Sequence, residues 1–174
     1  MFAFAAWNTK ERELYLARDR MGIKPLYWSF QNGNLYFSSE LKALFQAPSW
    51  SARQNKKALS AYFMHGYIPG SLSIYEDTFK LIPGSYLRFG PKNEPQIREY
   101  WSLRDITQKG INEPFTDSPA EIQSRAHELI RSAVSARMVS DVPIGCFLSG
   151  GIDSSSVAAL MQDQASKPIH TFSL

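Results

Sequence analysis

The 174 residues predict two successive folds, a β-rich α+β unit followed by the opening of a parallel α/β unit. Three observations carry that expectation. Apolar, strand-like runs recur between residues 2 and 89 and are separated by turn residues. A polar stretch without hydrophobic period occupies 102–117. Beyond it, a capped helix precedes strand, helix and strand at the spacing of a parallel βαβ unit.

In chain order, residues 2–7 and 13–18 read as strands joined by the polar turn Asn8-Thr9-Lys10-Glu11-Arg12. Residues 25–30 and 35–38 flank Gln31-Asn32-Gly33-Asn34, where Asn-Gly suits the positive φ of a hairpin turn. Ser39 precedes a short helix at 40–45. A second helix runs from about 57 to 64 and stops at Gly66, with Pro69-Gly70 beyond. A last strand pair is expected at 74–79 and 85–89, separated by Ile82-Pro83-Gly84. The polar stretch 102–117 reads as an interdomain linker, dividing the chain into 1–101 and 118–174.

Ser118-Pro119-Ala120-Glu121 combines an N-cap serine, a proline at the first helical position and a glutamate at the third, which is a capping box. Ile122, Ala126, Leu129, Ile130 and Ala133 continue as one apolar stripe, and the helix is expected to reach about 138. Residues 142–148 form a buried-type strand, 154–164 a helix, and 169–174 a second strand.

Composition is that of an ordinary soluble globular chain, with 44% apolar and 20% charged residues and a net charge of +3. No basic run with interleaved aromatics suggests a nucleic-acid face. The single cysteine, Cys146, cannot build an intrachain disulfide and fits a reducing cytoplasm. The apolar run at 2–7 is too short to cross a membrane and lacks a basic leader. Because the chain starts in one strand and stops in another, it is expected to be a fragment whose Met1 is not the natural start.

The chemistry-bearing segment is Ser149-Gly150-Gly151-Ile152-Asp153-Ser154-Ser155, placed between a strand and a helix. Two glycines without Cβ atoms let a phosphate oxygen approach the backbone. The N–H groups and dipole of the following helix attract an anion, and Ser149, Ser154 and Ser155 add hydroxyl donors. Asp153 alone would repel phosphate; it suits either a Mg²⁺ ion carried by pyrophosphate or a helix cap. The loop is not a Walker A motif, since no Gly-Lys pair occurs in the chain. It resembles instead the pyrophosphate loop of the ATP pyrophosphatase superfamily, whose members split ATP into an adenylated substrate and pyrophosphate.

Further stretches narrow that resemblance. Arg18-Asp19-Arg20-Met21-Gly22-Ile23-Lys24-Pro25-Leu26-Tyr27 and Ser38-Ser39-Glu40-Leu41-Lys42-Ala43-Leu44 look like the latter part of a class II glutamine amidotransferase domain. Gly66-Tyr67-Ile68-Pro69-Gly70 and Leu81-Ile82-Pro83-Gly84-Ser85-Tyr86 resemble the segment that closes it. Ser140-Asp141-Val142-Pro143 through Ser155 resembles the start of an asparagine synthetase domain. Nearly the whole chain is thus similar to the glutamine-hydrolysing asparagine synthetase family. The resemblance implies the latter part of an αββα amidotransferase domain of the Ntn type, then the start of a doubly wound parallel α/β domain. It implies glutamine, aspartate and ATP as substrates, Mg²⁺ as cofactor, and a cytoplasmic, homodimeric parent enzyme. In that family, glutamine is hydrolysed by an N-terminal cysteine, the ammonia passes through an internal channel, and an aspartyl adenylate receives it.

Carried over residue by residue, Asp19 matches the aspartate that holds the substrate glutamine through its α-ammonium group. Spacing alone would make it part of an exposed Arg18/Asp19/Arg20 charge cluster. Leu148 matches a position touching ATP through its backbone, and Leu174 one beside the adenine. Ser149, Gly150, Gly151, Asp153, Ser154 and Ser155 complete the expected ATP site, with Asp153 toward Mg²⁺. No catalytic residue is assigned, because the expected N-terminal cysteine is absent, and the 174 residues are expected to complete neither half-reaction. Cys146 reads as a buried, inert thiol rather than a nucleophile. His65, His127 and His170 are too scattered for a metal site, and Trp7, Trp28 and Trp101 read as core. Two rival readings stay open: a related amidotransferase acting on another carboxylate, and a non-catalytic remnant that binds nucleotide or a partner. Unpaired strand edges of half-domains would make the isolated chain poorly soluble.

Overall fold

A computed structural model describes residues 1–92 and 94–173. The chain forms two compact units, Met1–Asn112 and Glu113–Leu174.

The first unit is built from two antiparallel sheets. Strands β1 (Ala3–Asn8), β2 (Glu13–Arg18), β6 (Ser85–Phe89) and β7 (Gln96–Glu99) lie in the order β1-β2-β6-β7. Strands β3 (Tyr27–Gln31), β4 (Asn34–Ser38) and β5 (Thr78–Lys80) lie in the order β4-β3-β5. The β3–β4 hairpin turns on Asn32 and Gly33, at φ 53° and 75°, so the Asn-Gly pair supplies the left-handed backbone such a turn needs. The expected pairing of the strands at 74–79 and 85–89 is corrected. β5 pairs with β3, whereas β6 pairs with β2. The Leu81 N–H donates to the Leu26 carbonyl at 2.9 Å, extending the β3–β5 connection before the chain crosses to the other sheet.

Period-two alternation then sets the core. Leu16 of β2 faces Leu87 of β6 in register, and both are fully buried. They cluster with buried Leu26 and Leu81, against Leu14, Trp28, Leu35 and Phe89. Phe30 of β3 meets Phe89 of β6 with ring centroids 5.7 Å apart, so the two sheets share this apolar layer. Trp28 lies half-buried within it, whereas Trp7 is 57% exposed, which corrects its expected place in the core. The physical reason is that Trp7 sits on β1, the edge strand of its sheet.

The opposite face of the β3 sheet carries a polar pair. Ser29 and Thr78, directly opposed in β3 and β5, are both buried. Their hydroxyls bond each other at 3.2 Å, and each receives the Trp50 indole N–H at 3.2 Å. Phe45, Trp50 and Tyr75 close over them edge-to-face, with centroids 5.2–5.5 Å apart. Helix α1 (Leu41–Leu44) is a single turn, and α2 (Lys56–His65) starts at Asn55, whose side chain accepts from the N–H groups of Lys57 and Ala58. As expected, α2 ends at Gly66 in the left-handed region.

The polar stretch 102–117, read as a linker, carries regular structure within it. Helix α3 occupies Leu103–Asn112. Ser102 starts it, accepting the Asp105 N–H on its hydroxyl at 3.4 Å and the Ile106 N–H on its carbonyl at 3.1 Å.

In the second unit the capping box forms as expected. The Ser118 N–H donates to the Glu121 carboxylate at 2.8 Å, and the Glu121 N–H to the Ser118 hydroxyl at 3.4 Å, opening α4 (Pro119–Ser135). Strand β8 (Gly145–Phe147), α5 (Ile152–Gln164) and β9 (His170–Phe172) follow, and β8 pairs with β9 in parallel. Strand β8 is shorter than the expected 142–148, since Pro143 has no N–H for a ladder and β9 offers three residues of register. Helices α4 and α5 are tied by the Arg131 guanidinium on the Asp163 carboxylate at 3.3 Å. Val134 and Met161 are buried, while Leu129 and Ile130 of the predicted stripe remain exposed. Among the described residues no helix is long and apolar enough to cross a membrane.

Candidate functional site

Two sites follow from the sequence, one in each unit. The first lies where β2 ends. Asp19 is buried, at 5% exposure, which corrects the reading of an exposed charge cluster; Arg18 beside it is half-buried and Arg20 is exposed. The Asp19 carboxylate accepts four backbone N–H groups. Met21 and Ile23 donate to Oδ1 at 3.2 and 3.0 Å, and Phe2 and Lys24 to Oδ2 at 3.2 and 3.0 Å. Burial pushes this carboxyl up, but the amides of Lys24, Ile23, Phe2 and Met21 outweigh it and hold it at about 2. A carboxylate so placed stays charged at neutral pH.

Arg18 treats the same loop in the opposite sense. Its Nε donates to the Lys24 carbonyl at 2.9 Å, and its terminal nitrogens to the carbonyls of Gly22 at 2.8 Å and Leu81 at 2.7 Å. Adjacent side chains thus collect the amides and the carbonyls of one turn. Gly22 allows that turn, with φ +64° and a would-be Cβ 2.7 Å from Pro83 Cγ. The Gly84 N–H donates to the Asp19 carbonyl at 3.0 Å, and the Tyr100 hydroxyl to the Arg18 carbonyl at 2.6 Å. Segments around 18–25, 81–84 and 100–101 are therefore interlocked. Sequence reasoning singled out Asp19 but missed Arg18, Gly84 and Tyr100 as its supports. Arg18 stood next to Asp19 as a visible signal, whereas Tyr100 carried none. A cavity of about 720 Å³ adjoins this loop, lined in part by Arg20, Met21, Pro83, Glu99 and Trp101.

The second site is the loop between β8 and α5. Helix α5 begins at Ile152, with Gly151 as N-cap, so Asp153 lies in its first turn. The helix therefore starts ahead of the expected 154, and no side chain caps it. The Ser155 N–H bonds the Gly151 carbonyl at 3.0 Å, leaving the N–H groups of Ile152, Asp153 and Ser154 ahead of the helical ladder. Gly150 has φ +80° and open space where a Cβ would stand. The Ser149 and Ser154 hydroxyls lie 3.1 Å apart across the loop, and the Ser154 hydroxyl accepts the Ser149 N–H at 3.3 Å. Ser149, Gly150, Gly151, Asp153 and Ser155 are exposed and Ser154 is half-buried. Backbone donors, hydroxyls and a helix N-terminus converge there as an anion site requires.

Leu148, just before the loop, is bound to β9 on both polar groups. Its N–H donates to the Phe172 carbonyl and its carbonyl accepts the Ser173 hydroxyl, each at 2.8 Å. Leu174 lies outside the described residues. Cys146 in β8 is half-buried rather than buried, and His127 is exposed. Among the described residues no three His, Cys, Asp or Glu side chains gather as a metal centre.

The chain belongs to the glutamine amidotransferase family, whose domain model matches residues 1–101, and residues 125–174 match the model described as asparagine synthase. In particular, it is similar over its whole length to two proteins named as glutamine-hydrolysing asparagine synthetases. One, from Methanocaldococcus jannaschii and named so provisionally, is 38% identical, with 33% of its length covered. The other, asparagine synthetase 3 of Bacillus subtilis, is 34% identical, with 28% covered. A Gibberella zeae protein named an amidase is 33% identical over 92% of this chain and 23% of its own length. The chain thus spans about a third or less of these relatives.

Proposed function

We propose that this chain is part of an ATP-dependent enzyme that makes asparagine and glutamate from aspartate and glutamine, releasing AMP and pyrophosphate through a β-aspartyl adenylate. The observation that carries the reading is the succession of two matches in one chain, with a built loop in each: the Asp19 turn in the first and the Ser149–Ser155 loop in the second. The αββα form of the amidotransferase domain and the doubly wound form of the synthetase domain belong to this proposal. So do the division at 102–117 and a cytoplasmic location.

In this reading Asp19 receives the α-ammonium group of glutamine. An ionised carboxylate is the right partner for a cation, and the four amides keep it ionised. Because those amides already occupy about four acceptor positions, the ammonium would displace one of them. The Phe2 N–H, at 3.2 Å, is the donor from outside the turn. Ser149, Gly150, Gly151, Ser154 and Ser155 surround the pyrophosphate of ATP with N–H and O–H donors. Leu148 flanks the nucleotide, and Leu174 is the position that the family resemblance sets beside the adenine. A lone exposed carboxylate at the start of α5 fits Mg²⁺, a hard cation that completes its shell with water and phosphate oxygens. Asp153 would hold that ion, which offsets charge on the leaving pyrophosphate when bound.

Activation of the carboxylate is chemically required, since a carboxylate is a poor acyl donor and a mixed anhydride has a good leaving group. The test uses the full-length protein with aspartate, glutamine and ATP, with products followed by ³¹P NMR and amino-acid analysis. Asparagine, AMP and pyrophosphate in equal amounts are expected; ADP and phosphate would overturn the adenylation. A 33% identical relative that carries a name other than asparagine synthetase motivates a second reading, in which a different carboxylate is the acceptor. Glutamine- and ATP-dependent pyrophosphate release that ignores aspartate would favour it.

A further inference from the structure

We propose that Arg18 is the positioning residue of the Asp19 carboxylate, setting where its oxygens sit by holding the carbonyls of the turn that supplies its amides. The bearing of this on glutamine rests on the reading of Asp19 given above.

The turn from Asp19 to Lys24 has two kinds of backbone group to satisfy. Its amides at Met21, Ile23 and Lys24 point to Asp19. The carbonyls of Gly22 and Lys24 point to the Arg18 guanidinium, which also bonds Leu81 in the neighbouring segment. A guanidinium is planar and rigid, with donors in a fixed fork, so three carbonyls on one fork are fixed relative to each other. A peptide plane whose carbonyl is held by Arg18 has its N–H, where it has one, fixed in direction; the plane after Lys24 leads into Pro25 and has none. The plane joining Gly22 to Ile23 shows this directly: its carbonyl accepts from Arg18 at 2.8 Å and its N–H donates to Asp19 at 3.0 Å. Arg18 therefore acts on Asp19 through the backbone. Lysine would keep the charge but not the fork.

The experiment follows amide hydrogen exchange by NMR in the full 174-residue chain, for wild type, R18K and R18Q. In R18Q the Ile23 and Lys24 amides are expected to lose protection by at least about tenfold, while the Leu16 and Leu87 amides hold theirs. The Asp19 side-chain carbon is expected to titrate closer to the ordinary aspartate range near 3.9. R18K is expected to behave like R18Q at Ile23 and Lys24, as the fork is lost in both. Unchanged Ile23 exchange and Asp19 titration in R18Q would overturn the proposal. So would rescue of both by R18K, which would make the charge sufficient. If R18Q unfolds, R18K alone decides by the same two signals. Glutamine titrated into wild type and D19N separates the readings: equal response from both would remove the glutamine role and leave the positioning result standing.

Discussion

Gly84 and Trp101 approach so closely that a Cβ on Gly84 would lie 2.2 Å from the Trp101 carbonyl oxygen. The Gly84 carbonyl in turn accepts the N–H groups of Tyr100 and Trp101, at 2.8 and 3.1 Å. Since φ at Gly84 is +69°, alanine there meets both a backbone clash and a disfavoured dihedral. Gly84→Ala is expected to destabilise the first unit by about 3 kcal/mol or more, read as a shift of the urea midpoint. The second unit should melt unchanged.

Asp19 predicts a pH dependence whose sign is fixed. Its carboxyl is held at about 2 in the folded chain, below the ordinary 3.8, so the unfolded chain binds more protons between these values. The stability it contributes is fully present above about pH 4 and is lost as pH falls through about 2. Asp19→Asn is expected to cost about 3 kcal/mol at neutral pH, because an amide nitrogen cannot accept the N–H groups left facing it. The variant should also flatten the acid limb, checked by urea midpoints from pH 5 to pH 2.

Leu87 is fully buried opposite Leu16. Leu87→Ala is expected to cost about 2–5 kcal/mol, the range for emptying a packed leucine site. Because Phe89 and Trp28 border the same layer, near-ultraviolet circular dichroism should lose intensity in step with stability.

Ser118 donates and accepts at the start of α4. Ser118→Ala is expected to destabilise the second unit by about 1 kcal/mol, and the Asp19 turn should not respond. Amide exchange along residues 120–124, compared with the Ile23 amide, checks both statements.

Local chemistry was legible in the sequence; distant partners were not. Asn32-Gly33, Gly66 and the Ser118–Glu121 box each state their structure within about four residues, and each forms as read. The strand β7 at Gln96–Glu99 escaped notice because Ile97 is its one apolar residue and all four positions are exposed. Helix α3 was hidden by its polar composition, although Leu103, Ile106 and Ile111 recur at i, i+3 and i+8 along one side of it. The strands β5 and β6 looked like a hairpin because their separation is short. What sends them to different sheets is pairing with β3 and β2, tens of residues away. At the site, the resemblance brought out Asp19, but its burial and amide shell depend on Phe2 and on segments near 81–84 and 100, which no spacing around residue 19 reveals.

The interlock of residues 18–25, 81–84 and 100–101 also constrains when this region can take shape during synthesis. Arg18 bonds Leu81, 63 positions on, and accepts from Tyr100, 82 positions on. Chain emerges from the ribosome in order, at about 5–20 residues per second. The turn around Asp19 is translated ahead of Leu81 and Tyr100, so it waits several seconds for the partners that fix it. Substitutions that loosen Leu81–Gly84 are thus expected to lengthen that interval, exposing β2 to wrong pairing in the nascent chain before the finished fold is ever tested.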